Sequence, residues 1–206
     1  AMLDGKVVVE GRGYEKTTVD FGRDPANEVV LSGAQRWGQT GVKPLELLHE
    51  WSAKAETPLS DFYLSADAYA MLRADPDVQK RMDTHLRGTN TISNDAILGR
   101  DMTLMGLLDG FRIWVMPNVM VDHEDGKKEA LFPAKTVLGV SDQSFVGVRH
   151  FGAIQDVDAV QNGLSQGMYH IKSWINPDPS VRYVMLQSAP LMVPYRPNAT
   201  FKATVA

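Results

Sequence analysis

The sequence predicts an α+β fold. Three observations carry the prediction. Helical spacings are confined to residues 44–82, β-branched and alternating runs punctuated by Gly, Pro, Asn and Asp fill both flanks, and no repeat, low-complexity tract or Ser/Gly linker breaks the chain into separate arrays. At 206 residues with 44% apolar residues, the chain can build one sizeable core or two small ones, burying about 70% of the surface its unfolded form exposes.

Taken in order, Lys6 to Glu10 and Thr17 to Phe21 flank the turn Gly11-Arg12-Gly13 and predict a hairpin. Val29 to Leu31 predicts a short strand stopping at Ser32-Gly33. Pro44 fits a first helical turn, where its missing N–H has no partner to lose. Leu45, Leu48 and Trp51, with Leu47 widening the stripe, predict a helix over 44–54 that Pro58 ends. Phe62 to Leu64 is a strand, and Ser65 caps a second helix through Ala68, Tyr69, Met71 and Leu72, with Asp67 in its positive first turn. Asp75-Pro76 interrupts that helix and restarts a short one carrying Val78 and Met82.

Residues 84–100 turn polar and predict a mobile loop. Phe111, Ile113 and Val115 then alternate with Arg112, Trp114 and Met116, the period of a strand buried on one face, closed by Pro117. Val119 and Val121 lead into a second hairpin whose Asp125-Gly126 pair supplies the positive φ angles of a tight turn. Thr136 to Val140 and Phe145 to Ile154 are further β segments, and residues 155–166 are polar. The stretch from Tyr169 to Ala206 organises the rest: Trp174 anchors it, Asn176-Pro177-Asp178-Pro179 breaks it, an apolar strand follows, Ala189-Pro190 turns, and a last alternating strand after Asn198 is tied into the core.

The charge balance excludes several function classes. A net charge of −4 gives no broad basic field for phosphate neutralisation, so no specific nucleic-acid site is expected. The absence of cysteine removes disulfides, thiol catalysis and cysteine-held zinc. No apolar run approaches the roughly 20 residues of a membrane span. Ala1 before Met2 reads as a remnant of an expression tag.

Local constellations are weak. Asp122, His123, Glu124 and Asp125 alternate across a strand, two to each side, and match neither a calcium loop nor a two-histidine zinc helix; a solvated hairpin tip explains them. The five histidines are scattered, and Ser141, Ser144 and Ser188 lie outside any strand-turn-helix nucleophile context. Gly11-x-Gly13 precedes a strand and so cannot set a phosphate on a helix N-terminus. Lys127 and Lys128 make a solvated loop face. Core packing with the indole N–H bonded accounts for Trp37, Trp51, Trp114 and Trp174. No catalytic residue, metal or cofactor is expected.

The order of several signatures carries a resemblance. Val19-Asp20-Phe21-Gly22-Arg23, then Trp37, then a Pro-Leu helix ending in Trp51, then Asp109-Gly110-Phe111 leading to Asp125-Gly126, resembles the major capsid proteins of tailed phages. Gly152-Ala153-Ile154-Gln155-Asp156, Trp174, Asp178-Pro179, Gln187-Ser188-Ala189-Pro190-Leu191, Pro194 and Pro197-Asn198 are similar to the C-terminal signature of the lambda-type, or capsid E, family.

The resemblance implies a structural subunit of the icosahedral head of a bacteriophage or prophage, with no enzymatic activity, assembled in the host cytoplasm from copies of itself around DNA. Scaffold, portal and decoration proteins are further implied partners, and no membrane is involved. It implies a peripheral domain over residues 1–60 with a hairpin and the start of a spine helix at 44–54, and an axial domain over 61–168 with a variable β region. The chain would return through the peripheral sheet over 169–190 and place its final strand, 191–206, in the axial domain. Members of that family carry an N-terminal arm, and usually a full projecting loop, ahead of this stretch, so the resemblance implies a sequence that lacks its N-terminal arm. Trp37, Trp51, Trp114, Trp174, Pro179 and Pro190 are the implied structural anchors, and Gly11, Arg12, Gly13, Asp125 and Gly126 mark loops for subunit contact. Two rival readings stand beside it: a monomeric head-decoration or carbohydrate-binding module, and a small metal-dependent hydrolase using Asp122, His123 and Asp125 with His150.

Overall fold

The computed structural model describes residues 3–11, 14–83, 98–99, 102–122, 126–142, 147–154, 156–161 and 167–206. In chain order the elements are β1 (Lys6–Gly11), β2 (Tyr14–Asp20), β3 (Glu28–Val30), α1 (Pro44–Lys54), β4 (Asp61–Ser65), α2 (Ala66–Ala74), α3 (Pro76–Asp83), β5 (Leu98–Gly99), β6 (Met102–Leu108) and β7 (Phe111–Met116). They continue with β8 (Met120–Asp122), β9 (Lys128–Ala130), β10 (Thr136–Val140), β11 (Gly147–Phe151), α4 (Val157–Gln161), β12 (His170–Pro177), β13 (Ser180–Gln187), β14 (Pro190–Pro194) and β15 (Thr200–Thr204). The class is α+β, and the chain forms two compact units, one of residues 147–195 and one of residues 2–146 with 196–206.

The larger unit is built on a seven-stranded sheet in the order β3-β15-β10-β4-β7-β6-β5. β15 runs parallel to β3 and antiparallel to β10, and β4 runs parallel to β7. On one sheet face, Phe62 and Leu64 of β4, Val137 of β10, and Phe201 and Ala203 of β15 are almost wholly buried. The stripe Leu45, Leu48 and Trp51 of α1 joins that core, with Trp51 stacked on Phe201 at 5.5 Å and on Trp37 at 6.1 Å. Gly139 of β10 is paired with Phe62 on one side and Phe201 on the other. A Cβ there would lie 2.6 Å from Leu59 Cδ1 and 2.9 Å from Phe62 Cε1, so the glycine is what lets the Phe62 ring and Leu59 pack over the strand.

Local chemistry sets the element ends. Ser65 Oγ accepts from Ala68 N–H at the start of α2, and Asp75 Oδ1 accepts from the N–H groups of Asp77 and Val78 at the start of α3. α1 begins at Pro44 and ends at Lys54, one turn before Pro58.

Several expectations are corrected. The tight Asp-Gly turn is not at Asp125-Gly126: β8 and β9 pair Asp122 with Lys128, so their connection runs from 123 to 127. The two-residue turn is Asp109-Gly110, where Leu108 pairs with Phe111 and both turn residues have positive φ, 53° and 91°. β6 was not foreseen, because MTLMGLL is an apolar run without period-2 alternation. The loop expected over 84–100 falls outside the described residues except for β5.

In the smaller unit, β11 pairs with β14 and β12 with β13, each as a separate antiparallel ribbon. The short helix α4 lies in the stretch expected to be polar coil. Asp156, just before α4, accepts from Lys172 Nζ of β12 at 2.9 Å, and Ser188 Oγ donates to Met168 O at 2.6 Å. Ile154 and Ala159 are the buried apolar residues of this unit among those described.

Candidate functional site

Surface, rather than a cleft, is where this chain departs most from a self-contained protein. Besides the seven-stranded sheet it carries four two-stranded ribbons, β1–β2, β8–β9, β11–β14 and β12–β13, whose outer edges are unpaired among the described residues. A lone two-stranded hairpin is marginal in water and its open N–H and C=O groups invite another strand.

The ribbon β12–β13 is the most exposed. Its register pairs Ile171 with Leu186, Ser173 with Val184, Ile175 with Arg182 and Pro177 with Ser180 on one face. On that face Ile171, Ile175, Val184 and Leu186 are 62–70% exposed. On the other face His170, Lys172, Met185 and Gln187 are half-buried at the base, and Trp174 stacks on Tyr183 at 5.4 Å nearer the tip. Asp178-Pro179, a cis peptide, forms the turn.

The anchors named from sequence therefore divide. Trp37 and Trp51 are core residues, although Trp37 Nε1 has no hydrogen-bond partner among the described residues. Trp114 is half-buried, stacks on Tyr63 at 6.0 Å and donates Nε1–H to Asp61 at 2.8 Å. Trp174, expected in the core, is 45% exposed, its one ring contact among the described residues being the cross-strand Tyr183. Pro179 sits in the turn and Pro190 opens β14, pairing with Phe151. Of the contact loops, Gly11 ends β1 and Gly126 holds a φ of 74°, while Arg12, Gly13 and Asp125 lie outside the described residues.

Among the described residues no cluster of three or more His, Asp or Glu side chains could hold a metal ion. Asp122, His123 and Asp125 cannot be placed together, since His123 and Asp125 are outside the described residues. His150 instead makes a 3.4 Å contact with Tyr195.

Sequence reasoning missed the most connected polar group. Asp61, 5% exposed at the head of β4, accepts from Arg112 Nε and Nη2 at 2.6 Å each, from Trp114 Nε1 and from Ser60 Oγ. Arg112 also binds Asp142, and Asp142 N–H donates to Ser60 Oγ. Burial pushes the Asp61 carboxyl up, but the hydrogen bonds from Arg112, Ser60 and Trp114 outweigh it and hold it below the usual carboxylate range. The same pairing raises Arg112 above its ordinary value. The signal available in sequence was Arg112 alternating with Trp114 on the strand face opposite Phe111 and Ile113, which sets two donor side chains side by side. This network ties β4 and β7 to Asp142, two residues past the end of β10; with its carboxylate saturated by donors, it is a clamp and not a reactive site.

At the β3 edge, Lys202 bridges Asp4 at 2.8 Å and Glu28 at 3.0 Å. Beyond β3 a 510 Å³ groove opens beside α1, floored by Val29, Leu31 and Trp51 and rimmed by the paired Lys43–Glu46 and Glu50–Lys54. Its charges neutralise one another within single helical turns, so no polar group converges on a ligand.

The family model of phage major capsid protein E matches residues 1–205. The chain is 29% identical over 212 residues to the major capsid protein of Enterobacteria phage phi80, covering 100% of this chain and 61% of that protein. It is 28% identical over 199 residues to the major capsid protein of Escherichia phage lambda, covering 94% and 57%. The fold is shared, at a TM-score of 0.83 and 20% identity, with a solved prophage protein of Escherichia coli CFT073 assigned as a capsid protein, covering all of this chain and 60% of that one. The chain thus spans about three fifths of the length of these relatives. It belongs to the phage major capsid protein E family.

Proposed function

We propose that this chain is the assembly-bearing part of a structural subunit that self-associates into the icosahedral head of a bacteriophage or prophage, enclosing DNA, with no catalytic role. The observation that carries the proposal is the family match along residues 1–205. Its physical support is the set of ribbons with open edges, which neighbouring copies complete by repeated heterologous contacts. The net charge of −4 suits a wall that need not grip its contents. The subunit resides in the virion shell after assembly in the bacterial cytoplasm, and scaffold, portal and decoration proteins are its further partners.

The division into a peripheral part (1–60), an axial part (61–168), a return (169–190) and a final axial strand (191–206) is proposed with it. Pairing of β15 with β10, and of β10 with β4, supports placing the last strand with the axial part. The separate ribbon β12–β13 supports a distinct return segment.

Negative-stain electron microscopy of the complete gene product tests the function. Shells, tubes or rings are the expected outcome; monodisperse monomers across assembly conditions, or binding only to preformed heads, would replace it with the decoration reading.

A further inference from the structure

We infer that the Ile171–Ser173–Ile175–Arg182–Val184–Leu186 face of the ribbon β12–β13 is the surface that docks on a second copy of this chain, and that the Trp174–Tyr183 face does not. The inference rests on the capsid reading and deepens it by naming one contact.

The two faces are unequal in cover. At the base of the Trp174 face, His170, Lys172, Met185 and Gln187 are half-buried, and Lys172 is held by Asp156. The opposite face has every side chain exposed, with four large aliphatic groups in two cross-strand neighbourhoods, and Arg182 is its single charge. Four aliphatic side chains exposed in one continuous strip depart from the ordinary burial of Ile, Leu and Val. One cation is too few to hold such a strip on an anionic lipid surface, where each basic group adds only about 1 kcal/mol.

The size of the strip selects the occupant. Two strands of eight residues, at about 3.3 Å per residue and 4.8 Å between strands, give a face of roughly 250 Å². A stable pairwise complex needs about 800 Å² per partner. The face is therefore too small to hold a dimer or a soluble partner by itself, and large enough to count when the same contact recurs around a closed array of identical subunits. Free subunits remain separate with this face wet, and it is buried only on assembly.

Hydrogen-deuterium exchange on the wild-type complete capsid protein, free and assembled, is the first test. Peptides spanning 170–187 should slow at least tenfold in the particle; unchanged exchange there overturns the inference. The second test compares Ile175→Lys and Val184→Asp with Val181→Asp on the opposite face. The first two should cut sedimentable particles at least tenfold while leaving the Tm of the free subunit within a few degrees of wild type, and Val181→Asp should assemble normally. Normal assembly by Ile175→Lys and Val184→Asp, or equal loss in all three, sinks the face assignment while the capsid reading stands. Failure of the wild type to assemble removes the capsid reading, and this inference with it.

Discussion

Asp61 keeps its charge at 5% exposure because four donor groups from three side chains, those of Arg112, Trp114 and Ser60, converge on its two oxygens. Removing the carboxylate leaves Arg112 with Asp142 as its remaining partner and takes the acceptor from the Trp114 N–H, so Asp61→Ala should cost about 2–3 kcal/mol in urea denaturation, within the range for charged hydrogen bonds, with Asp61→Asn losing less. A carboxyl whose folded pKa is depressed adds stability above its unfolded value, here the ordinary 3.8, and loses that stability as pH falls through the lower folded value. Thermal melts between pH 5 and 2 should therefore fall more steeply for wild type than for Asp61→Asn. Gly139 makes the opposite demand, for absence of atoms: with Leu59 Cδ1 2.6 Å from its notional Cβ, Gly139→Ala should destabilise by about 1–3 kcal/mol through overpacking. Neither role was legible beforehand, since a charged residue in an alternating strand names no partner and a glycine in a strand names no neighbour.

At the scale of elements, Ser65 serves two neighbours, capping α2 through Ala68 N–H and accepting from Thr136 N–H of β10. Ser65→Ala should cost about 1–2 kcal/mol, the upper range for a lost cap, measurable by chemical denaturation, and Ser65→Thr should recover part of it. The cap was legible because its signal is local: a hydroxyl followed by a helical stripe. α1 was legible to the residue for the same reason, its proline and its Leu45-Leu48-Trp51 spacing lying within one element. The turns were not. Asp109-Gly110 and Asp125-Gly126 are the same dipeptide, and only pairing register decides which makes a two-residue hairpin. The core role expected of Trp174 failed for a related reason: a large aromatic side chain in a strand does not reveal whether the rest of its own chain reaches over it.

At the scale of the molecule, the larger unit is discontinuous in sequence, and β15 lies between β3 and β10. Its Phe201 and Ala203 are almost wholly buried, as the expectation of a tied-down final strand required. Deleting residues 198–206 should abolish soluble expression, checked by yield and by loss of the far-ultraviolet circular dichroism signal in any soluble remainder. The alternation that reveals such a strand is visible in sequence, but its position in mid-sheet is not, because pairing partners some 170 residues apart leave no local trace. That position also governs timing during synthesis. A nascent chain can form α1, α2 and the β4–β7 region while β3 and β10 still face an empty slot, and the slot fills only when residues near 204 have left the ribosome. A polypeptide cut short before β15 thus keeps an unsealed sheet whose open edges invite pairing with another chain.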